Sequence, residues 1–249
     1  YLAMKHRRFA KDSSYGGAPY YIKDGLKNKF GTSFAFLLSV IFAILCVINS
    51  LTTGNLVQIN SVSSIIPIHP LIFGIIFTVL AFLVILGGIK RITKITSILI
   101  PFLTVAYVIM CLSIILVNAK LIPSIFATII KNAFNIKSAL GGACGYGIAA
   151  AMRYGVSRGV LSNEAGCGTS PAAHASSASG SPHGQGCLGI LEVFIDTILL
   201  CSLTAFVVLL SPNCGLNTPV SVVINAFEHW LGSFGKYAVE VLAILFAFA

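Results

Sequence analysis

Long apolar runs alternate along this chain with short basic or small-residue stretches, a pattern that reads as a series of membrane helices. Residues 33–66, SFAFLLSVIFAILCVINSLTTGNLVQINSVSSII, exceed the length of one bilayer crossing and turn polar in their second half, which predicts one long tilted helix. Pro67 and Pro70 in PIHP then force a turn. Residues 71–88 predict a second span ending at GGIKRITK, and residues 97–118 a third, with Pro101 tolerated near its start. Lysines interrupt the apolar stretch 121–140, which suits an interfacial or half-spanning helix. A further membrane segment is expected over 136–160, an uninterrupted span over 187–211, and the beginning of another over 222–249. The pattern predicts an all-α multi-pass membrane protein, one transmembrane domain over 1–249 with residues 1–32 as a loop.

Composition agrees with a lipid setting. Hydrophobic residues make up 57% and charged residues 9%, whereas a soluble domain covers its surface with about a quarter charged residues. The chain starts at Tyr1 and stops inside VEVLAILFAFA, so both ends are expected to be truncated. Its net charge of +9 does not point to nucleic acid, because the basic residues cluster between apolar runs. If the first span runs from inside to outside, twelve lysines and arginines fall on one side, seven of them in residues 1–32. Only Lys120, Lys131, Lys137 and Lys236 fall on the other, so the positive-inside rule makes residues 1–32 cytoplasmic. The seven cysteines form no C-x-x-C pair, and neither a zinc site nor a disulfide framework is indicated.

Polar residues within membrane segments face a cavity or a helical neighbour, since unsatisfied groups in hydrocarbon are costly. Asn55 and Gln58 share a helix face, with Asn60 beyond them. Their amides suit a zwitterionic ligand, and equally hydrogen bonds between helices. The glycines Gly141, Gly142 and Gly145 of GGACGYG favour a break in a membrane helix, where backbone groups could hold a carboxylate or cation. Close helix packing by small residues is the other reading. Asp196 could bind a cation, relay a proton or pair structurally, with Glu192 one turn before it. The stretch GVSRGVLSNEAGCGTSPAAHASS, residues 155–177, crowds Arg158, Asn163, Glu164, Cys167, Ser170 and His174 together. A catalytic triad is not supported, because no G-x-S-x-G elbow is present.

Five ordered motifs resemble the alanine or glycine:cation symporters, the sodium:alanine symporter family. They are GGAPYYIKDGL, GNLVQINS, VILGGIKRITKITSILIPF, GVSRGVLSNEAGCGTSPAAHA and QGCLGILEVFIDTILLCSLTAFVVL. Ala18-Pro19, Leu161 and Glu192 depart from the family pattern, Glu192 standing where a small or uncharged residue is expected. The resemblance implies part of a LeuT-type inverted-repeat fold, from about the end of core helix 2 to core helix 8. It implies a non-enzymatic sodium-driven symporter of a small neutral amino acid, alanine or glycine, in the cell (inner) membrane, with sodium as coupling ion and no organic cofactor. On that alignment Asn55, Gln58 and Asn60 line the substrate cavity and Gly141, Gly142 and Gly145 mark the break in core helix 6. Most sodium ligands would then lie outside this chain, which alone should not transport. Asn163 and Glu164, with Arg158 and Asp196, are expected to shape an inner gate. The alternatives are a proton-coupled carrier of the same fold, with Asp196 as relay, and a non-transporting multi-pass protein.

Overall fold

The computed structural model describes the chain apart from residues 11–12, 52–54, 67–68, 134–141, 165–166, 178–179 and 213–218. In chain order it contains α1 (Leu2–Lys5), an antiparallel pair β1 (Arg8–Ala10) and β2 (Ser13–Tyr15), α2 (Ala18–Phe30), α3 (Thr32–Asn49) and α4 (Asn55–Ser63). There follow α5 (Pro70–Ile85), α6 (Gly88–Val117), a short 3-10 turn (Ala119–Leu121), α7 (Ile122–Ala133) and α8 (Gly142–Ser162). The last are α9 (Thr169–Ala175), α10 (Pro182–Val193), a π-helical segment (Phe194–Leu200), α11 (Cys201–Leu210) and α12 (Pro219–Phe248).

Among the described residues, Thr32–Asn49, Arg91–Val117, Pro182–Leu210 and Val220–Phe248 are long and apolar enough to cross a bilayer. α5 is apolar but shorter, at 16 residues. Large apolar side chains stand exposed along these helices, among them Leu80, Ile98, Leu116 and Ile190. In water such faces would aggregate, whereas in hydrocarbon they need no partner.

Several local departures from the expected pattern have physical causes. The expected single helix over 33–66 appears as α3 and α4, with residues 52–54 outside the described set. α6 starts at Gly88, nine residues before the expected 97, because its basic first turns remain helical ahead of the apolar window. Pro101 lies inside that helix. Thr96 and Ser97 return their hydroxyls to the carbonyls of Ile92 and Lys94 at 3.0 and 3.1 Å, so their polar atoms are satisfied locally. α7 has 12 residues, about 18 Å at 1.5 Å per residue and too short to cross. α12 is interrupted at Gly232, whose φ of 64° and ψ of −156° only glycine adopts readily.

The chain divides into two compact units, residues 1–55 with 136–199, and residues 56–135 with 200–249. The second holds the larger apolar core: Cys111 and Ile114 of α6, Val207 and Leu210 of α11, and Ile224, Phe227 and Val239 of α12. At its edge Tyr107 stacks on Phe227 at 5.7 Å and shares a 2.8 Å hydrogen bond with Thr204. The half-buried phenol thereby has its oxygen partnered, as an apolar surrounding requires.

The first unit is packed with small residues. Residues 1–32, expected as a loop, fold into α1, the β-pair and α2. α2 begins with Pro19 in its first turn and ends at Gly31, whose φ of 86° turns the chain into α3. α2 then lies back along α3, with Ser39 donating to the Pro19 carbonyl at 2.8 Å and Ala35 wholly buried.

Candidate functional site

Two polar dipeptides, Ser162-Asn163 at the end of α8 and Asp196-Thr197 in the π-helical segment, pair with each other in the first unit. The Ser162 hydroxyl donates to Asp196 Oδ2 at 2.5 Å, and the Thr197 hydroxyl to Asn163 Oδ1 at 2.6 Å. Asn163 Nδ2 also donates back to the Gly159 carbonyl at 2.9 Å, so its amide is used on both sides. A π-helical turn widens the ladder, and such turns recur at functional sites. Here it carries both Asp196 and Thr197. Asn163 and Asp196, expected from sequence as gating residues, are therefore brought together. Thr197→Val and Asn163→Ala should each lower thermal stability by about 1 kcal/mol. The double variant should lose less than the sum, because both singles break one contact. Melting of the detergent-solubilised full-length protein measures this.

Glu164 follows directly, with φ at 48° in the left-handed region. That conformation is unusual for a residue with a Cβ. Its carbonyl accepts from the Cys167 amide at 3.0 Å, and its carboxylate accepts from the Thr169 hydroxyl, tying the turn to the first residue of α9. Gly168 also has positive φ, 83°, and sits against the Phe42 ring and Cys46 of α3. Among the described residues no ion pair joins Glu164 to an arginine, and Arg158 stands exposed on α8.

α9 anchors a second polar chain. Gln185, buried at the start of α10, lies 2.8 Å from His174 Nδ1 through its Nε2 and accepts from the Ser177 hydroxyl at 3.0 Å. His174 Nε2 is 3.2 Å from Glu192 Oε2. An amide nitrogen can only donate, so Nδ1 accepts and the imidazole proton faces the carboxylate. Both ring nitrogens are thus occupied, which leaves His174 without a free lone pair for Ser170 or Cys167. Glu192, the departure noted in the sequence, has an imidazole for its partner.

The N-terminal segment closes over the far end of α9. Arg7 Nη1 donates to the Ser177 carbonyl at 3.1 Å and Ser14 donates to the Ala175 carbonyl at 3.0 Å, capping carbonyls that a helix end leaves open. The Arg7 charge also complements the negative end of the helix dipole. Gly16 and Gly17 pass so close to α9 that a Cβ on Gly16 would fall 2.5 Å from Ala175 Cβ.

The expected substrate residues are less gathered. Asn55 is the first residue of α4, and Gln58 and Asn60 are exposed on that helix. Gly142 and Gly145 lie in the first turns of α8, which is helical from Gly142 onward. Gly141, and any break preceding Gly142, falls outside the described residues. Sequence reasoning missed Ser162, Thr197, Thr169 and Gln185 as partners. The signal available was weak: a Ser-Asn dipeptide at one helix end and an Asp-Thr dipeptide in an apolar run.

Four helices among the described residues that are long and apolar enough to cross a bilayer define the class, an integral, multi-pass helical membrane protein. The model of the sodium:alanine symporter family matches residues 1–249, and the chain belongs to that family. It is 36% identical over 254 residues to YflA, an uncharacterized transporter of Bacillus subtilis, covering 98% of this chain and 52% of that protein. It is 33% identical over 258 residues to the sodium/alanine symporter AgcS of Methanococcus maripaludis, covering 100% and 55%. With GlnT, a probable sodium/glutamine symporter of Bacillus subtilis, it shares 34% over 242 residues, covering 94% and 48%. The chain spans about half the length of the curated relatives it matches.

Proposed function

We propose that the full-length protein is a sodium-coupled symporter of a small neutral amino acid, alanine or glycine, working by alternating access on a LeuT-type fold. The observation that carries this reading is the family match across every residue, joined by identity to a relative named for sodium and alanine. Transport on this reading is physical rather than covalent. Asn55, Gln58 and Asn60 offer amide donors and acceptors to the two charged ends of the substrate. Gly141, Gly142 and Gly145 are the glycines of the approach to α8 and its first turns, whose helix-terminal N–H groups would hold the carboxylate. Sodium offsets the cost of carrying that carboxylate through a low-dielectric interior.

Arg158, Asn163, Glu164 and Asp196 serve the inner gate. The supporting geometry is the pairing of Ser162-Asn163 with Asp196-Thr197, next to the turn held by Glu164 and Thr169. Release to the cytoplasm requires that end of α8 to shift, and a contact made of two hydroxyl hydrogen bonds breaks at lower cost than a buried ion pair. The protein lies in the cell membrane with residues 1–32 cytoplasmic.

Uptake of labelled alanine into vesicles carrying the full-length protein tests the coupling. Replacing external sodium by potassium should lower uptake by about 5–150-fold, the range of ordinary coupling free energies. Undiminished uptake would sink sodium coupling, and a strong pH dependence in its place would favour the proton-coupled reading. Glu164→Gln should slow turnover while substrate affinity holds, and an unchanged turnover rate would count against its place in the gate.

A further inference from the structure

We infer that α2 is a docking surface for anionic phospholipid headgroups, held by Lys23, Lys27 and Lys29. The inference rests on the membrane location of the chain and is independent of substrate and coupling ion. Residues 1–32 contain seven lysines and arginines against two acids, Asp12 and Asp24. Asp24, the acid on α2, is already neutralised: Arg8 Nη2 reaches its two oxygens at 3.1 and 2.9 Å, and His6 Nδ1 lies 3.2 Å from Oδ2. The three lysines of α2 remain exposed, and no ion pair takes them up among the described residues. Lys23 and Lys27 are one turn apart and share a face.

Depth is what turns this basic helix into a lipid surface. Gly31 alone separates α2 from α3, a helix of spanning length. The Ser39 to Pro19 hydrogen bond and the Lys23 ammonium 5.2 Å from the Phe36 ring centre fold α2 back along the first two turns of α3. Two turns cover about 11 Å, roughly one Debye length, so every lysine of α2 lies within reach of the phosphates that flank the start of α3. Lysines at that depth meet phosphates before they meet any soluble partner. At the end of α2 the Phe30 and Phe34 rings, 5.9 Å apart and both exposed, supply apolar surface for the acyl boundary.

The test uses the detergent-solubilised full-length protein and native mass spectrometry, with phosphatidylglycerol and phosphatidylcholine of matched acyl chains in competition. Each lysine near an anionic surface strengthens attraction by about fivefold. The wild type should therefore retain phosphatidylglycerol in preference by about tenfold or more once screening is allowed for. Lys23→Gln, Lys27→Gln and Lys29→Gln combined should bring the preference near parity. The matching triple arginine variant, which keeps charge, should preserve it. An unchanged preference in the glutamine variant overturns the proposal. So does displacement of the lipid by inorganic phosphate as readily as by excess phosphatidylglycerol, since the surface would then hold a free anion.

Discussion

Replacing Gly168 by alanine should lower the stability of the full-length protein by about 2–5 kcal/mol, and replacing it by valine should prevent folding. Two independent costs meet at this residue. Its φ of 83° places any Cβ in the left-handed region, which costs an L-residue roughly 1–2 kcal/mol. A Cβ built there would also lie 2.6 and 2.9 Å from two ring carbons of Phe42, and 3.4 Å from Cys46 Sγ. Real carbon contacts do not close to 2.6 Å, so either the ring or the loop must move, at a cost of about 1–3 kcal/mol. The two terms separate experimentally. In a Phe42→Ala background the steric cost disappears and Gly168→Ala should cost only the backbone share, roughly 1–2 kcal/mol. Thermal melting of the solubilised protein, followed by loss of the monodisperse species, gives both values. A Gly168→Ala loss limited to the backbone share in the wild-type background would mean that α3 does not pack against this turn, and a melting point equal to wild type would mean that the residue is not held in the left-handed region either.

Gly168 also shows what kind of information the sequence carries. The run SNEAGCGTSPAAHA stood out by its small residues and its family resemblance, and its helix, α9, lies within it. That the run sits against Phe42, some 126 positions earlier, could not be read from one sequence, because no local periodicity encodes which helix is the neighbour. Membrane helices were legible for the opposite reason: a run of apolar residues must satisfy its own backbone, and the helix does so without regard to tertiary partners. α3, α5, the α10–α11 stretch and α12 each overlap one of the apolar runs, with different bounds, and α3 covers only the apolar first half of the run 33–66. Residues 1–32, expected as a loop, contain short elements whose contacts lie elsewhere in the chain, α2 on α3 and the N-terminal segment on α9. Arg7 and Ser14 donate to the carbonyls of Ser177 and Ala175, partners that no local pattern in residues 1–32 encodes.

The residues proposed for the gate illustrate the same division. Asp196 stands out as an acid within an apolar run and Asn163 as part of the cluster 155–177, and each has a hydroxyl partner beside the other. Glu164, close in sequence to Arg153 and Arg158, could pair with an arginine or cap the next turn. The turn is what it serves: Thr169, the first residue of α9, occupies the carboxylate, and Arg158 stands exposed on α8. Glu192 repeats the lesson in reverse. A residue that looked out of place by pattern has an imidazole 3.2 Å away, and His174 was itself set aside only as a false catalytic base.

The motif GGAPYY and the motif SPAAHA, quoted separately in the sequence, are partners in space, and exchanging a methyl group between them tests it. Gly16→Ala should cost about 1–3 kcal/mol by overpacking. Its new Cβ would lie 2.5 Å from Ala175 Cβ, with the Ala3 carbonyl at 3.1 Å and Arg7 Cβ at 3.2 Å preventing retreat. Gly16, unlike Gly17 at φ 122°, is not held in a left-handed conformation, so the cost is packing alone. Ala175→Gly removes the opposing methyl and, near the end of α9, should cost at most about 1 kcal/mol in helix propensity. Combined, the two changes place one methyl group in the space that one methyl group fills in the wild type. The double variant should therefore recover at least about 1 kcal/mol relative to the sum of the singles. Additive losses would show that the two motifs do not touch. A normal Gly16→Ala protein would show further that the N-terminal segment is free of α9, and the carbonyls of Ala175 and Ser177 would need other donors.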